Sequence, residues 1–231
     1  MLLVGYIFSF LILGLWFALK AQKKNLFPKE FIYIASLAFS LLIYYFLFYL
    51  YIYNPSLAHS TVLLLIFTSP LFLFSIIIKA KKSSEEVSII RKFYLPPFLI
   101  TAVFLTIFSS LFYGCISSKP SLGGYKEVAN KTFCHIQNLP FDNALPFIYA
   151  ENVLNGEDKK LALDWSLADR PPLQIASTLP IEDLSKGNDQ FSRFYYYHIF
   201  SVFLQLAWIG ALWAILQRLK IKKKVQVLLF I

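Results

Sequence analysis

Asp142, Glu151, Asp164 and Asp169 crowd into one segment of the chain, and Arg170 follows directly, ahead of the pair Pro171 and Pro172. A single carboxylate can take the proton of an acceptor hydroxyl as a general base. A guanidinium can hold a phosphate by two parallel hydrogen bonds. Asp142 and Glu151 are nine positions apart, about 2.5 helical turns, so on one helix they point to opposite sides. The spacing therefore speaks against a paired-carboxylate site and leaves Asp142, Glu151, Asp164, Asp169 and Arg170 as candidates for a lone base and for substrate binding. The same spacing is equally that of helix caps and solvated loop charges. His59, His135 and His198 have no ligand spacing, so no metal is expected. No cofactor is expected either.

The rest of the chain decides where such a segment sits. Hydrophobic residues make up 58% of the 231, with 24 Phe and 14 Tyr, while 15% are charged. A soluble domain is about 45–50% apolar and about 25% charged, so a single water-exposed globule is excluded, and so is a disordered chain. Uncharged runs at Leu2 to Leu19, Phe31 to Tyr53, Thr61 to Ile78, Tyr94 to Gly114 and Tyr195 to Leu216 are long enough to cross roughly 30 Å of hydrocarbon as helices. The first lacks the basic start and the small-residue cleavage pattern of a signal peptide, and reads as a retained helix. The expected fold is all-α and integral to a membrane. About five transmembrane helices carry one large extracytoplasmic loop with short helices in it.

Charge sets the expected orientation. Lys20, Lys23, Lys24 and Lys29 follow the first run, Lys79, Lys81, Lys82, Arg91 and Lys92 the third, and Arg218, Lys220, Lys222, Lys223 and Lys224 the fifth. Asn54 to Ser60 has no Lys or Arg, and residues 115–194 carry 8 basic against 10 acidic residues. Basic short loops prefer the cytoplasm, which puts the amino terminus and residues 116–194 outside a cytoplasmic (inner) membrane. The net charge of +9 then reads as topology plus attraction to anionic membrane lipid, and nucleic acid is not an expected partner. The expected organisation is four spans over residues 1–115, the outer loop over 116–194, a fifth span over 195–219 and a basic tail over 220–231. The tail ends in Val225 to Ile231, VQVLLFI, which either lies in the interface or opens a sixth span.

Within the outer loop, Asp142 or Asn143 can cap a helix whose apolar positions Leu145, Ile148, Tyr149, Val153 and Leu154 recur at helical spacing, with Asn155 and Gly156 as its stop. A polar stretch Glu157 to Asp169 follows, and a short apolar stretch runs from Arg170-Pro171-Pro172-Leu173 to near Pro180. Cys115 and Cys134 both fall on the outer side. An oxidising compartment would allow a disulfide between them, contributing roughly 3 kcal/mol. The alternative is that Cys115 is simply packed at the membrane edge. Asn130-Lys131-Thr132 has the glycosylation-acceptor pattern.

The stretch Asp142-Asn143-Ala144-Leu145-Pro146-Phe147-Ile148-Tyr149-Ala150-Glu151-Asn152-Val153-Leu154-Asn155-Gly156, followed by Asp164-Trp165 and Asp169-Arg170-Pro171-Pro172-Leu173, resembles the first outer loop of the GT-C membrane glycosyltransferases that use polyprenyl-phosphate sugars. These are related to protein mannosyltransferases and aminoarabinose transferases. The resemblance covers about 35 of the 231 residues. It implies transfer of a sugar, outside the cytoplasm, from a polyprenyl-phosphate donor to a hydroxyl or amine. Asp142 takes the place of the catalytic or acceptor-orienting Asp, and Arg170, 28 positions on, that of the basic residue near the donor phosphate. Asn143 stands where the family has a second acid, and four spans precede the loop where better-known members have one. Since full-length members carry more spans, the resemblance implies an amino-terminal fragment or truncated relative, working with a partner subunit or a carboxy-terminal half. The competing expectation is a non-catalytic multi-pass protein, an assembly or transport accessory whose outer loop binds a partner.

Overall fold

The computed structural model describes residues 2–117, 145–156, 161–162, 165–166, 172–188, 190–221 and 225. These form α1 (Leu2–Lys23), α2 (Ile32–Tyr53), α3 (Pro55–Lys82), α4 (Ser84–Ile89), α5 (Leu95–Ser117), α6 (Leu145–Asn155), α7 (Pro172–Ser185), α8 (Gln190–Gln205) and α9 (Trp208–Arg218). A 3-10 turn, Lys29–Phe31, leads into α2, and a π-helical turn, Ile90–Tyr94, joins α4 to α5. The exception to helix is the antiparallel pair β1 (Leu161–Ala162) and β2 (Trp165–Ser166), with Leu161 opposite Ser166 and Ala162 opposite Trp165. Among the described residues, five stretches are helical, long and apolar enough to cross a membrane: Val4–Lys23, Lys29–Tyr53, Pro55–Lys81, Ser84–Ser110 and Ser192–Arg218. The chain is thus a helical, multi-pass membrane protein.

Local signals explain where the helices stop. After α1, Asn25 takes a left-handed φ of 55°, while Leu26 N–H donates to Ala21 O at 3.2 Å and Asn25 N–H to Gln22 O at 2.8 Å. This Schellman pair satisfies carbonyls that the helix end leaves open, and Asn tolerates the required φ. The same pattern closes α9, where Lys220 has φ 53° and Ile221 N–H reaches Leu216 O at 3.1 Å.

Two starts depart from the sequence reading. Asn54 to Ser60 reads as a loop, yet only Asn54 separates α2 from α3: its Oδ1 accepts from Leu57 N–H at 3.0 Å, and Pro55 takes the first helical position, where its missing N–H costs nothing. Ser83 caps α4 by accepting from Glu86 N–H at 3.4 Å, the N-terminal half of a capping-box sequence. The fifth expected span is interrupted at Leu206 and Ala207, where α8 ends and α9 begins.

The chain divides into two compact units. One comprises residues 1–43, 64–104 and 203–231. In it α1 lies close against α2: a Cβ on Gly14 would collide with Ser36 O and Ser40 Oγ, and Ser40 Oγ donates to Phe10 O. Small residues allow this approach, which in lipid supplies the dispersion contacts that an absent hydrophobic effect cannot. Tyr33 OH donates to Thr101 Oγ1 at 3.1 Å, and Gly210 of α9 leaves room for the Tyr33 ring. Lys23 pairs with the buried Glu86.

The other unit comprises residues 44–63 and 105–202. Its core is the pair α6 and α7, which pack on each other, with α8 against α6. Phe147 meets Phe194 edge-on at 5.3 Å and Tyr197 at 5.8 Å between ring centroids. Val153, Leu179 and Ile181 are fully buried. Helix α6 ends as its Asn-Gly stop requires, Gly156 having φ 74°. Helix α7 runs through Pro180 to Ser185, further than the apolar stretch ending near Pro180 suggests.

Candidate functional site

Several of the described charged groups of the second unit meet at α7, whose consecutive residues Glu182 and Asp183 face different neighbours because successive helical side chains lie about 100° apart. On one side Arg193, near the start of α8, bridges two carboxylates: Nη1 reaches Glu151 Oε1 of α6 at 2.8 Å, and Nη2 reaches Glu182 Oε2 at 2.6 Å. The guanidinium also lies 5.8 Å from the Phe147 ring centre. Glu182 is fully buried, and its Oε1, like Arg193 Nε, has no hydrogen-bond partner among the described residues. Desolvation is the main influence on Glu182 and the nearby Glu151 adds to it. Together they outweigh Arg193 and push the carboxyl up to about 7. Two buried carboxylates against one guanidinium leave an uncompensated charge, which a proton removes. Burial also pushes the Tyr149 phenol up to about 12.

On the other side, Asp183 Oδ2 accepts from Tyr51 OH at 2.8 Å and lies 2.7 Å from His59 Nδ1. An ionised carboxylate accepts from Nδ1–H, and this contact orients the imidazole ring. The His59 side chain is 42% exposed, so this is a carboxylate-oriented imidazole at a surface.

Of the residues singled out by sequence, Glu151 is the one with a described side chain, and it sits in the Arg193 bridge. Asp142, Asp164, Asp169 and Arg170 lie outside the described residues. So does Cys134; Cys115 belongs to α5, and its side chain is likewise outside them. Sequence reasoning passed over Arg193, Glu182, Asp183, His59 and Tyr51. Arg193 heads an apolar helix, where an intramembrane-edge charge is costly enough to demand a partner, and that signal was available. The His59 to Asp183 pairing spans 124 positions and has no sequence signature.

Chemically, the cluster offers a buried proton site, a surface imidazole and a guanidinium already engaged by carboxylates. Among the described residues no group of three or more His, Cys, Asp or Glu is placed to hold a metal ion. Comparison with protein-family models, with curated proteins and with solved structures finds no match to this chain.

Proposed function

We propose that this multi-pass membrane protein acts as a glycosyltransferase of the polyprenyl-phosphate-sugar-dependent kind, moving a sugar to an acceptor on the outer face. The observation that carries the reading is the pairing of α6 with α7. Asp142 stands three positions before the first residue of α6 and Arg170 two positions before that of α7. The two residues with assigned roles thus precede helices that pack together and are tied to α8 through Arg193. A donor of this kind keeps its tail in lipid and its phosphate at the interface, where a loop bounded by spans can meet it. Arg170 holds that phosphate; Asp142 takes the acceptor proton as the acceptor atom bonds to the anomeric carbon of the sugar, and the bond from that carbon to the phosphate breaks, so that polyprenyl phosphate leaves. Purified protein in lipid nanodiscs should bind a polyprenyl phosphate. Arg170→Ala should weaken binding about tenfold or more, and Asp142→Asn should leave it intact. Well-folded wild type that binds no polyprenyl phosphate ends this reading.

The reading requires the amino terminus and residues 116–194 to be outside, as the basic loops favour. In a background without native cysteines, a cysteine at the exposed Ser56 should react with a membrane-impermeant maleimide in intact cells, and one at the exposed Ser84 should not. The reverse labelling pattern inverts the orientation and removes any outer-face chemistry.

A second reading is a non-catalytic accessory. It is favoured by the mutual engagement of the described polar groups, Glu151 and Glu182 with Arg193 and Asp183 with His59, the pattern of a structural clamp.

A further inference from the structure

In the first unit two ammonium groups that pair with no carboxylate among the described residues converge on one indole. Lys20 Nζ lies 3.5 Å above the centre of the Trp16 ring and Lys79 Nζ 5.9 Å from it. No ion pair joins either lysine to an acid among the described residues, whereas the neighbouring Lys23 is taken up by Glu86. The two come together because α1 and α3 run parallel. Gly5 sits opposite Ile66, and further along Trp16 sits opposite Ser75, donating from Nε1 to Ser75 Oγ at 3.4 Å. Lys20 is four residues beyond Trp16 and Lys79 four beyond Ser75, so each lysine lies one turn past the pinned pair on the same face of its helix. Phe72 meets the indole edge-on, ring centres 5.0 Å apart, and this contact together with the Ser75 hydrogen bond holds the ring in place.

This level is where both helices leave the apolar part of their sequence. Phe17, Phe74 and Ile78 are exposed just before it, facing what a membrane would fill with acyl chains. Trp side chains are enriched at such an interface, and here the indole N–H is satisfied by Ser75. Two like charges held against one ring repel each other, and the ring quadrupole offsets only part of that repulsion. A phosphate of charge −1 between them, its acyl chains on the exposed Phe17 and Phe74, resolves both features.

We propose that the ends of α1 and α3 form a specific site for one anionic phospholipid, with Lys20 and Lys79 on its phosphate and Trp16 at its glycerol level. The site is independent of the outer-face reading. Native mass spectrometry of the full chain, after delipidation and titration with phosphatidylglycerol, tests it. Wild type should retain one phosphatidylglycerol more tightly than phosphatidylcholine. Lys20→Gln with Lys79→Gln should weaken that binding about thirtyfold, each charge contributing the factor of a basic residue near an anionic surface. Lys20→Arg with Lys79→Arg should keep it, which separates loss of charge from loss of fold. Three outcomes overturn the proposal: equal retention of phosphatidylcholine, unchanged binding by the glutamine pair, or release of the lipid by millimolar inorganic phosphate, which would make it a site for the free anion.

Discussion

Above the raised Glu182 value of about 7, Arg193→Ala destabilises the second unit by about 3–5 kcal/mol, because it strands an ionised, fully buried Glu182 without its counter-charge and takes one partner from Glu151 at the same time. Thermal unfolding in detergent, followed by circular dichroism, reads the loss. A variant with Glu151→Gln, Glu182→Gln and Arg193→Met together should recover most of it, since replacing a whole buried ion cluster by matched neutral groups is often neutral or better. The same cluster makes stability depend on pH. Glu182 has an unfolded value of 4.5 and a folded one raised to about 7, so the folded state binds the proton more tightly. Its contribution is complete below the unfolded value and is lost as pH rises through the folded one, on the order of 3 kcal/mol. Glu182→Gln should flatten this slope. Arg193→Ala protein as stable as wild type, or a slope unchanged by Glu182→Gln, contradicts the geometry described.

Asp142→Asn lowers sugar transfer by about 10²- to 10⁴-fold, the usual contribution of a positioned general base. The substitution is chosen because Asn caps a helix about as well as Asp does. A residue that merely caps α6 would therefore tolerate it, with neither yield nor unfolding temperature changed and no activity to lose. Asp142→Ala adds the contrast: a capping role predicts that this change, unlike Asp142→Asn, lowers stability by about 0.5–2 kcal/mol. Transfer should be measured with a labelled polyprenyl-phosphate sugar in proteoliposomes. Full transfer by Asp142→Asn removes Asp142 from the chemistry and favours the accessory reading, in which the clamp around Arg193 only shapes a partner-binding loop.

Much of the architecture is legible in residue type and order. Spans announce themselves because backbone in hydrocarbon must satisfy its own hydrogen bonds, which makes long uncharged runs helical whatever their neighbours. That constraint is local, and so five apolar helices follow from composition. The stop of α6 at Asn155-Gly156 is local too, because Gly adopts φ 74° without strain. Asn54-Pro55 was equally readable as a cap followed by a first helical proline, and treating residues 54–60 as a loop missed a signal that was there.

Tertiary structure alone decided the partners. Glu182 and Asp183 are neighbours in sequence, yet the helix turns them apart, one into a bridge with Arg193 and Glu151, the other to His59 and Tyr51. Lys20 and Lys79, read as topology signals in separate loops, meet at Trp16 because α1 and α3 run parallel. Helix formation depends on interactions three or four residues apart, which a sequence displays. Charge pairing depends on which helices pack and at what rotation, and that is set by small-residue contacts such as Gly14 on Ser36 and Ser40, whose meaning appears only once both helices are in place.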